Sequence, residues 1–203
     1  MRYAFLDFNE NETYVDAGAF TGDSIALFIS AVRGKFDHIY SIEPDYDNNT
    51  EISKMIERIQ PHYLEPLCGK ITLIEKGVWS KNDILSFSKV SQHDLGGHLI
   101  EGGLNTKLAN STQTKVPVTS IDFCTAQDAT FIKYEVEGSE LEGLKGAQRT
   151  IEKNKPKLAV AVYHKPEDLL VIPRYVRGLN MGYKIGFRQH DCFKPDATYI
   201  YCF

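Results

Sequence analysis

Two hydrophobic periods alternate along the chain. "TYVDAG" (13–18) is a short apolar run that reads as a buried strand, and Gly22 and Asp23 then open a helix. In that helix Ile25, Phe28, Ile29 and Val32 keep the i, i+3, i+4, i+7 spacing of one helical face, and Gly34 ends it. "HIYSIEP" (38–44) is a second strand, stopped by Pro44. Ile52, Met55, Ile56 and Ile59 restore the helical spacing up to Pro61, and "ITLIEKGVW" (71–79) is a third strand. "ILSFSKV" (84–90) alternates like a strand, residues 91–114 are rich in Gly, Ser, Thr and Asn and read as a long loop insertion, and 115–122 is extended again. "TFIKYEVEG" (130–138) is a strand, residues 139–154 form one helix with Ser139 as N-cap, and "KLAVAVYH" is a strand buried on both faces. The segment 165–180 is helical in two pieces around Pro173. "YKIGFRQ" and "TYIYCF" are separated only by "HDCFKPDA", too short for a crossover helix, so they pair as an antiparallel hairpin.

Strands alternating with helices predict an α/β sandwich with a mostly parallel sheet, to which the hairpin adds one antiparallel strand. In such sheets ligands bind outside the carboxyl ends of the strands. The first strand ends in "DAGAFTGD", where Gly18 permits a sharp turn and Gly22 a close approach of the helix start. The pattern is D-x-G-x-x-x-G, and the dinucleotide fingerprint G-x-G-x-x-G is absent. Glu43, at the end of the second strand, is placed to accept hydrogen bonds from both hydroxyls of a ribose. Asp16 would repel a pyrophosphate and attract the amino group or sulfonium of S-adenosylmethionine, so the two carboxylates favour that cofactor over NAD. Glu135 and Glu137 alternate toward one face of their strand, where they act as base, orient a substrate or hold a cation; Glu137 also suits an acidic helix entry. His164 ends the fifth strand and is either a proton acceptor or a structural histidine, as is His190. His93, Asp94 and His98 lack a third regularly spaced ligand and read as loop residues, so no metal is expected.

Composition narrows the classes. At 203 residues a single domain spanning 1–203 is expected, and 42% hydrophobic with 25% charged residues suits a soluble globular protein. A net charge of -4 with mixed signs gives no nucleic-acid footprint, and no apolar run suggests a membrane span. The N-terminal stretch lacks the apolar core of a signal peptide. Cys68, Cys124, Cys192 and Cys202 form no CxxC pair, which fits reduced thiols in a cytoplasm.

Together these residues resemble the FkbM family of S-adenosylmethionine-dependent methyltransferases. Residues 131–180 carry most of the likeness: a lysine and an acidic residue before E-G-[AS]-E, then L-K-G-A, K-P-x-L and Y-H-K-P-E-D-L. "VDAGAFTGDS", "YSIEPD", "GVWS" and "VPVTSID" precede them in the family's order. The resemblance implies a Rossmann-like, seven-stranded methyltransferase sandwich and methyl transfer to a hydroxyl of a sugar or natural product. By position, Asp16, Gly18, Ala19, Phe20, Gly22 and Ser24 would line the cofactor's amino acid part. Glu43, followed by Pro44 and Asp45, would bind its ribose; Gly77, Val78 and Trp79 would flank the adenine; Glu135 and Glu137 would lie near the reacting end. His164 is the first candidate for the base and Glu135 the second. The partner expected is a small-molecule or saccharide acceptor, neither nucleic acid nor membrane, with the oligomeric state open. Two departures stand out. Phe20 occupies a position that is glycine in the usual loop, and Glu135 one that is typically Asp, which displaces the carboxylate by a methylene. About a dozen residues precede the first strand, fewer than in many members of the family, so a lid or substrate domain is not expected there. Two alternatives follow: a methyltransferase-like cofactor-binding protein without catalysis, and a nicotinamide-dependent oxidoreductase.

Overall fold

The computed structural model describes residues 6–89, 97–100, 112–190 and 197–203. In chain order the first elements are β1 (Thr13–Ala17), α1 (Asp23–Ala31), β2 (His38–Ile42), α2 (Tyr46–Ile59) and β3 (Ile71–Ile74). Next come β4 (Gly77–Val78), β5 (Asp83–Lys89), β6 (Gly97–Ile100), β7 (Thr112–Thr119) and α3 (Ile121–Cys124). The last part holds β8 (Phe131–Tyr134), α4 (Glu140–Lys145), α5 (Gln148–Asn154), β9 (Lys157–Ala161), α6 (Asp168–Gly178), β10 (Ile185–Gln189) and β11 (Thr198–Cys202).

Seven strands form the main sheet in the order β10-β11-β9-β8-β1-β2-β3. The pairs β1–β2, β1–β8, β2–β3 and β8–β9 are parallel, and β11 runs antiparallel to both of its neighbours. Side-chain alternation divides the core. Tyr14, Phe131 and Ala159 face α1 and α2, joining Ile25, Phe28, Ile29, Ile52 and Ile56. Val15, Ile132 and Leu158 face the opposite layer, with Leu144, Ile151, Ile172 and Val176 from α4, α5 and α6. The sheet is therefore covered on both faces, which the apolar run in β9 requires.

Several elements depart from the periodicity reading. The third strand is two: β3 stays in the main sheet, whereas Gly77–Val78 leaves it after a tight turn (Lys76 N–H to the Ile74 carbonyl, 2.8 Å) and pairs with β7. That pair belongs to a second sheet, β4-β7-β5-β6. The loop expected at 91–114 contributes β6, paired antiparallel with β5, and its last residues extend β7; 90–96 and 101–111, with His93 and Asp94, lie outside the described residues. His98 is thus in a strand. The expected helix 139–154 breaks between α4 and α5, because Gly146 packs where a Cβ would lie 2.2 Å from the Trp79 carbonyl oxygen. Ser139 is the N-cap residue, but its side chain makes no capping hydrogen bond. Conversely, α6 continues through Pro173, since Ile172 and Val176 are buried on either side and their packing outweighs one lost hydrogen bond.

Candidate functional site

The carboxyl ends of β1, β2, β8 and β9 bring the chemistry together. At the end of β1, Asp16 is fully buried and stands in register opposite Lys133 of β8. The Lys133 ammonium, itself only 3% exposed, donates to Asp16 Oδ1 at 3.0 Å and to the Gly18 carbonyl at 3.1 Å, and lies 3.2 Å from Glu135 Oε2. Ser24, in the first turn of α1, donates to Asp16 Oδ2 at 2.6 Å. Burial pushes the Asp16 carboxyl up from its ordinary pKa, opposed by Lys133 and Ser24. Asp16 is therefore not a free counter-charge for a ligand's amino group. It anchors the ammonium that holds the β1–α1 loop to β8.

The loop itself is tightly constrained. Gly18 has φ +81, and a Cβ there would lie 2.0 Å from the Glu135 carbonyl oxygen, so only glycine permits this approach. Gly18 and Ala19 both donate their N–H groups to the Ile42 carbonyl, and Ala19 packs in the core. Phe20, at the position of the missing glycine, has φ +49. Phe20 thus sits in the left-handed region that favours glycine, at a cost of about 1–3 kcal/mol. Gly22, with φ +89, starts α1.

Glu43 holds Phe20 in place: its Oε2 accepts the Phe20 N–H at 2.9 Å. Its Oε1 accepts the Asp45 N–H at 2.9 Å and the Asn48 amide at 3.2 Å. A carboxylate offers about four lone-pair sites, so one acceptor position remains, on Oε2. Burial raises the Glu43 pKa, against the pull of the Asp45, Asn48 and Phe20 donors. Pro44 leads directly into Asp45, whose side chain caps α2 through the Asp47 and Asn48 N–H groups.

Gly77, Val78 and Trp79 are buried at the junction of the two sheets. Val78 packs in the core with Tyr134, and Trp79 with Leu85 and Val118.

Glu135 and Glu137 do not share a strand face, because β8 ends at Tyr134. Glu135 accepts the Tyr163 hydroxyl at 3.0 Å in addition to its contact with Lys133, and its side chain is 22% exposed. Burial first, then the Glu135 charge, hold the Tyr163 phenol well above its ordinary pKa. Glu137 follows in a left-handed turn (φ 53) that directs its Oε2 to within 3.5 Å of His164 Nε2. His164 Nδ1 is 2.7 Å from Oε1 of Glu140, the buried first residue of α4. Burial opposes a charged His164, but the hydrogen bond and charge of Glu140, with Glu137 and Glu135, outweigh it and raise the histidine's pKa. His190 hydrogen-bonds the Tyr201 hydroxyl at 2.7 Å instead of joining this cluster. Among the described residues no group of three His, Cys, Asp or Glu is placed to hold a metal ion, and no helix is long and apolar enough to cross a membrane.

Lys133, Glu140 and Tyr163 all fall in the runs that carry the family likeness, and Glu140 with Glu137 suits an acidic helix entry, but nothing in the sequence brings the three into one site. A lysine inside the apolar strand "FIKY" is the signal for the first, since a buried ammonium requires anionic partners. The contacts of the other two, Glu140 with His164 and Tyr163 with Glu135, carry no local signal.

The profile of the Methyltransferase FkbM domain matches residues 16–185. Among solved structures, methyltransferase FkbM from Methylobacillus flagellatus KT superposes with a TM-score of 0.79 at 30% identity, covering 100% of this chain and 46% of that one. This chain therefore spans about half the length of that relative. A precorrin-6y C5,15-methyltransferase from Geobacter metallireducens GS-15 shares the fold (TM-score 0.58, 11% identity, 100% and 85% covered). So does a Streptococcus mutans protein in complex with SAH (0.55, 12%, 96% and 88%). No curated protein matches. The glycine-bearing loop after β1, the carboxylate after β2 and the K-x-E-x-E-G run that begins in β8 all fall inside the matched span, and the chain belongs to the FkbM family of S-adenosylmethionine-dependent methyltransferases.

Proposed function

We propose that this chain methylates a hydroxyl group of a sugar or another natural product, using S-adenosylmethionine. The observation that carries the reading is the convergence, on one sheet edge, of a carboxylate with an open acceptor position (Glu43), a partly exposed carboxylate (Glu135) and a buried histidine (His164) whose Nε2 has no hydrogen-bond partner among the described residues. When bound, S-adenosylmethionine supplies an electrophilic methyl group. Glu43 Oε2 would take a ribose hydroxyl, and the loop around Gly18 would hold the amino acid part. Glu135, with one oxygen near Lys133 and the other accepting from Tyr163, would receive the ammonium. Both Glu135 oxygens already have partners, whereas His164 Nε2 has no hydrogen-bond partner among the described residues, so the proton of the acceptor hydroxyl goes to His164 Nε2. The rest of the work is positioning. Cys124 and Cys202 are free thiols, which suits a reducing compartment such as the cytoplasm.

Methyl-labelled S-adenosylmethionine incubated with a panel of glycosides and other alcohols tests this. Label in an ether of one acceptor is the expected result. Cofactor binding without transfer to any acceptor favours the non-catalytic alternative, and binding of NAD in place of S-adenosylmethionine overturns the proposal.

A further inference from the structure

His164 is held by an arrangement that does more than bury it. Its imidazole is 7% exposed and makes its shortest polar contact through Nδ1, to Glu140 Oε1 at 2.7 Å. The same oxygen accepts the Val136 N–H at 2.9 Å, which fixes the carboxylate across the turn between β8 and α4. A carboxylate only accepts hydrogen bonds, so the imidazole is the donor and the neutral ring carries its proton on Nδ1. Nε2 then presents a lone pair. It is buried, has no hydrogen-bond partner among the described residues, and is 3.5 Å from the Glu137 carboxylate. The Tyr163 ring lies 4.1 Å, centroid to centroid, from the imidazole and limits its rotation.

We propose that Glu140 is a positioning residue for the reaction: its buried carboxylate selects the Nδ1–H tautomer of His164 and directs the Nε2 lone pair toward the acceptor hydroxyl. The proposal rests on the reading of His164 as the base. As the hydroxyl proton moves to Nε2, both ring nitrogens carry hydrogen. The positive charge then lies between Glu140 on one side and Glu137 on the other, so the dyad stabilises the protonated histidine. Glu140 touches neither substrate nor cofactor in this role and acts only through His164.

The charged groups around the imidazole are Glu135 and Glu137 from the segment after β8, Glu140 from α4, and Lys165 and Asp168 from the segment leading into α6 and its first turn. Lys165 donates to the Gly138 carbonyl, and Asp168 is buried, its carboxyl raised by burial and by the Glu140 charge. Glu140 alone makes a direct hydrogen bond to the ring among these groups.

The test is Glu140→Gln, which keeps an oxygen for the Val136 N–H and removes the charge. The His164 imidazole is followed by ¹⁵N NMR in the ligand-free protein, assigned by loss of its signals in His164→Gln. Wild type is expected to show the Nδ1–H tautomer above its titration midpoint. In Glu140→Gln the midpoint falls by about 1–3 pH units. In turnover, kcat falls about tenfold to a hundredfold with KM for the acceptor unchanged, and the acidic limb of the pH profile moves with the NMR midpoint. Glu140→Asp, which retains the charge, restores most of the midpoint and serves if the glutamine variant does not fold. An unshifted midpoint in an active enzyme, or lower kcat with an unmoved pH profile, overturns the positioning role alone. A wild type that titrates as described but transfers no methyl group overturns the proposed function and the positioning role with it.

Discussion

Removing the buried ammonium at the centre of the site is the sharpest perturbation of this architecture. Lys133→Met preserves length and apolar stem but leaves Asp16, fully buried, without its counter-ion. At 3.0 Å the pair attracts by about 5 kcal/mol at an effective dielectric constant of about 20. Breaking such a pair by deleting one partner costs about 3–5 kcal/mol, because the remaining charge stays buried. For a chain of this size that corresponds to a fall in Tm of about 6–20 °C. The pH dependence identifies the cause. Asp16 already has a raised pKa in the folded protein, and losing Lys133 raises it further. A carboxyl whose folded pKa lies above its unfolded value, about 3.9, binds more protons when folded, so its contribution to stability falls as pH rises between the two values. The variant should therefore lie close to wild type near pH 4 and fall progressively behind toward neutrality. Urea unfolding at a series of pH values measures this, and Asp16→Asn in the Lys133→Met background should recover most of the loss at pH 7. A deficit below about 1 kcal/mol at pH 7, or no recovery in the double variant, would refute the view of Lys133 as the counter-ion that anchors the loop.

Three further outcomes follow from the same geometry. Gly18→Ala forces a Cβ to 2.0 Å from the Glu135 carbonyl oxygen at φ +81, so thermal unfolding should show a loss of at least about 2 kcal/mol, with weakened cofactor binding; unchanged stability would mean the loop relaxes freely. Glu43→Ala releases the Phe20 and Asp45 N–H groups along with the open acceptor position, and calorimetry should find S-adenosylhomocysteine bound at least about tenfold more weakly; equal affinity would remove Glu43 from the ribose site. The raised pKa of His164 adds stability that is fully present below about pH 6.5 and is lost as pH rises through its folded value. The stability gap between wild type and His164→Gln should accordingly be wider at acid than at alkaline pH, and a gap independent of pH would contradict the Glu140 and Glu137 contacts.

Local patterns in the chain made the parallel α/β frame readable, because the apolar faces of α1 and α2 and the continuous apolar run of β9 each report their own burial. The loop after β1 was readable for the same reason, and Phe20 shows how far that extends. Its side chain departs from the usual glycine, while its φ of +49 retains the glycine-like backbone. What stayed hidden depends on contacts between distant segments. Asp16 and Lys133 are 117 positions apart and meet only because β1 and β8 are neighbours in register. Tyr163 and Glu135 meet because β8 and β9 are neighbours. The break between α4 and α5 is imposed by the Trp79 backbone, and β6 has too polar and glycine-rich a surrounding sequence to stand out by periodicity. Alternation along the sequence does not reveal where Glu137 lies, because β8 ends at Tyr134 and Glu137 sits in a left-handed turn.

The central claim is that one sheet edge holds S-adenosylmethionine between Glu43 and Glu135 and presents its methyl group to His164. A crystal structure with S-adenosylhomocysteine bound tests it directly. The account predicts a ribose hydroxyl on Glu43 Oε2, the ammonium at Glu135 beside Gly18, and His164 Nε2 facing the space next to the sulfur. A ligand whose ribose lies away from Glu43, or whose sulfur faces away from His164, would contradict it.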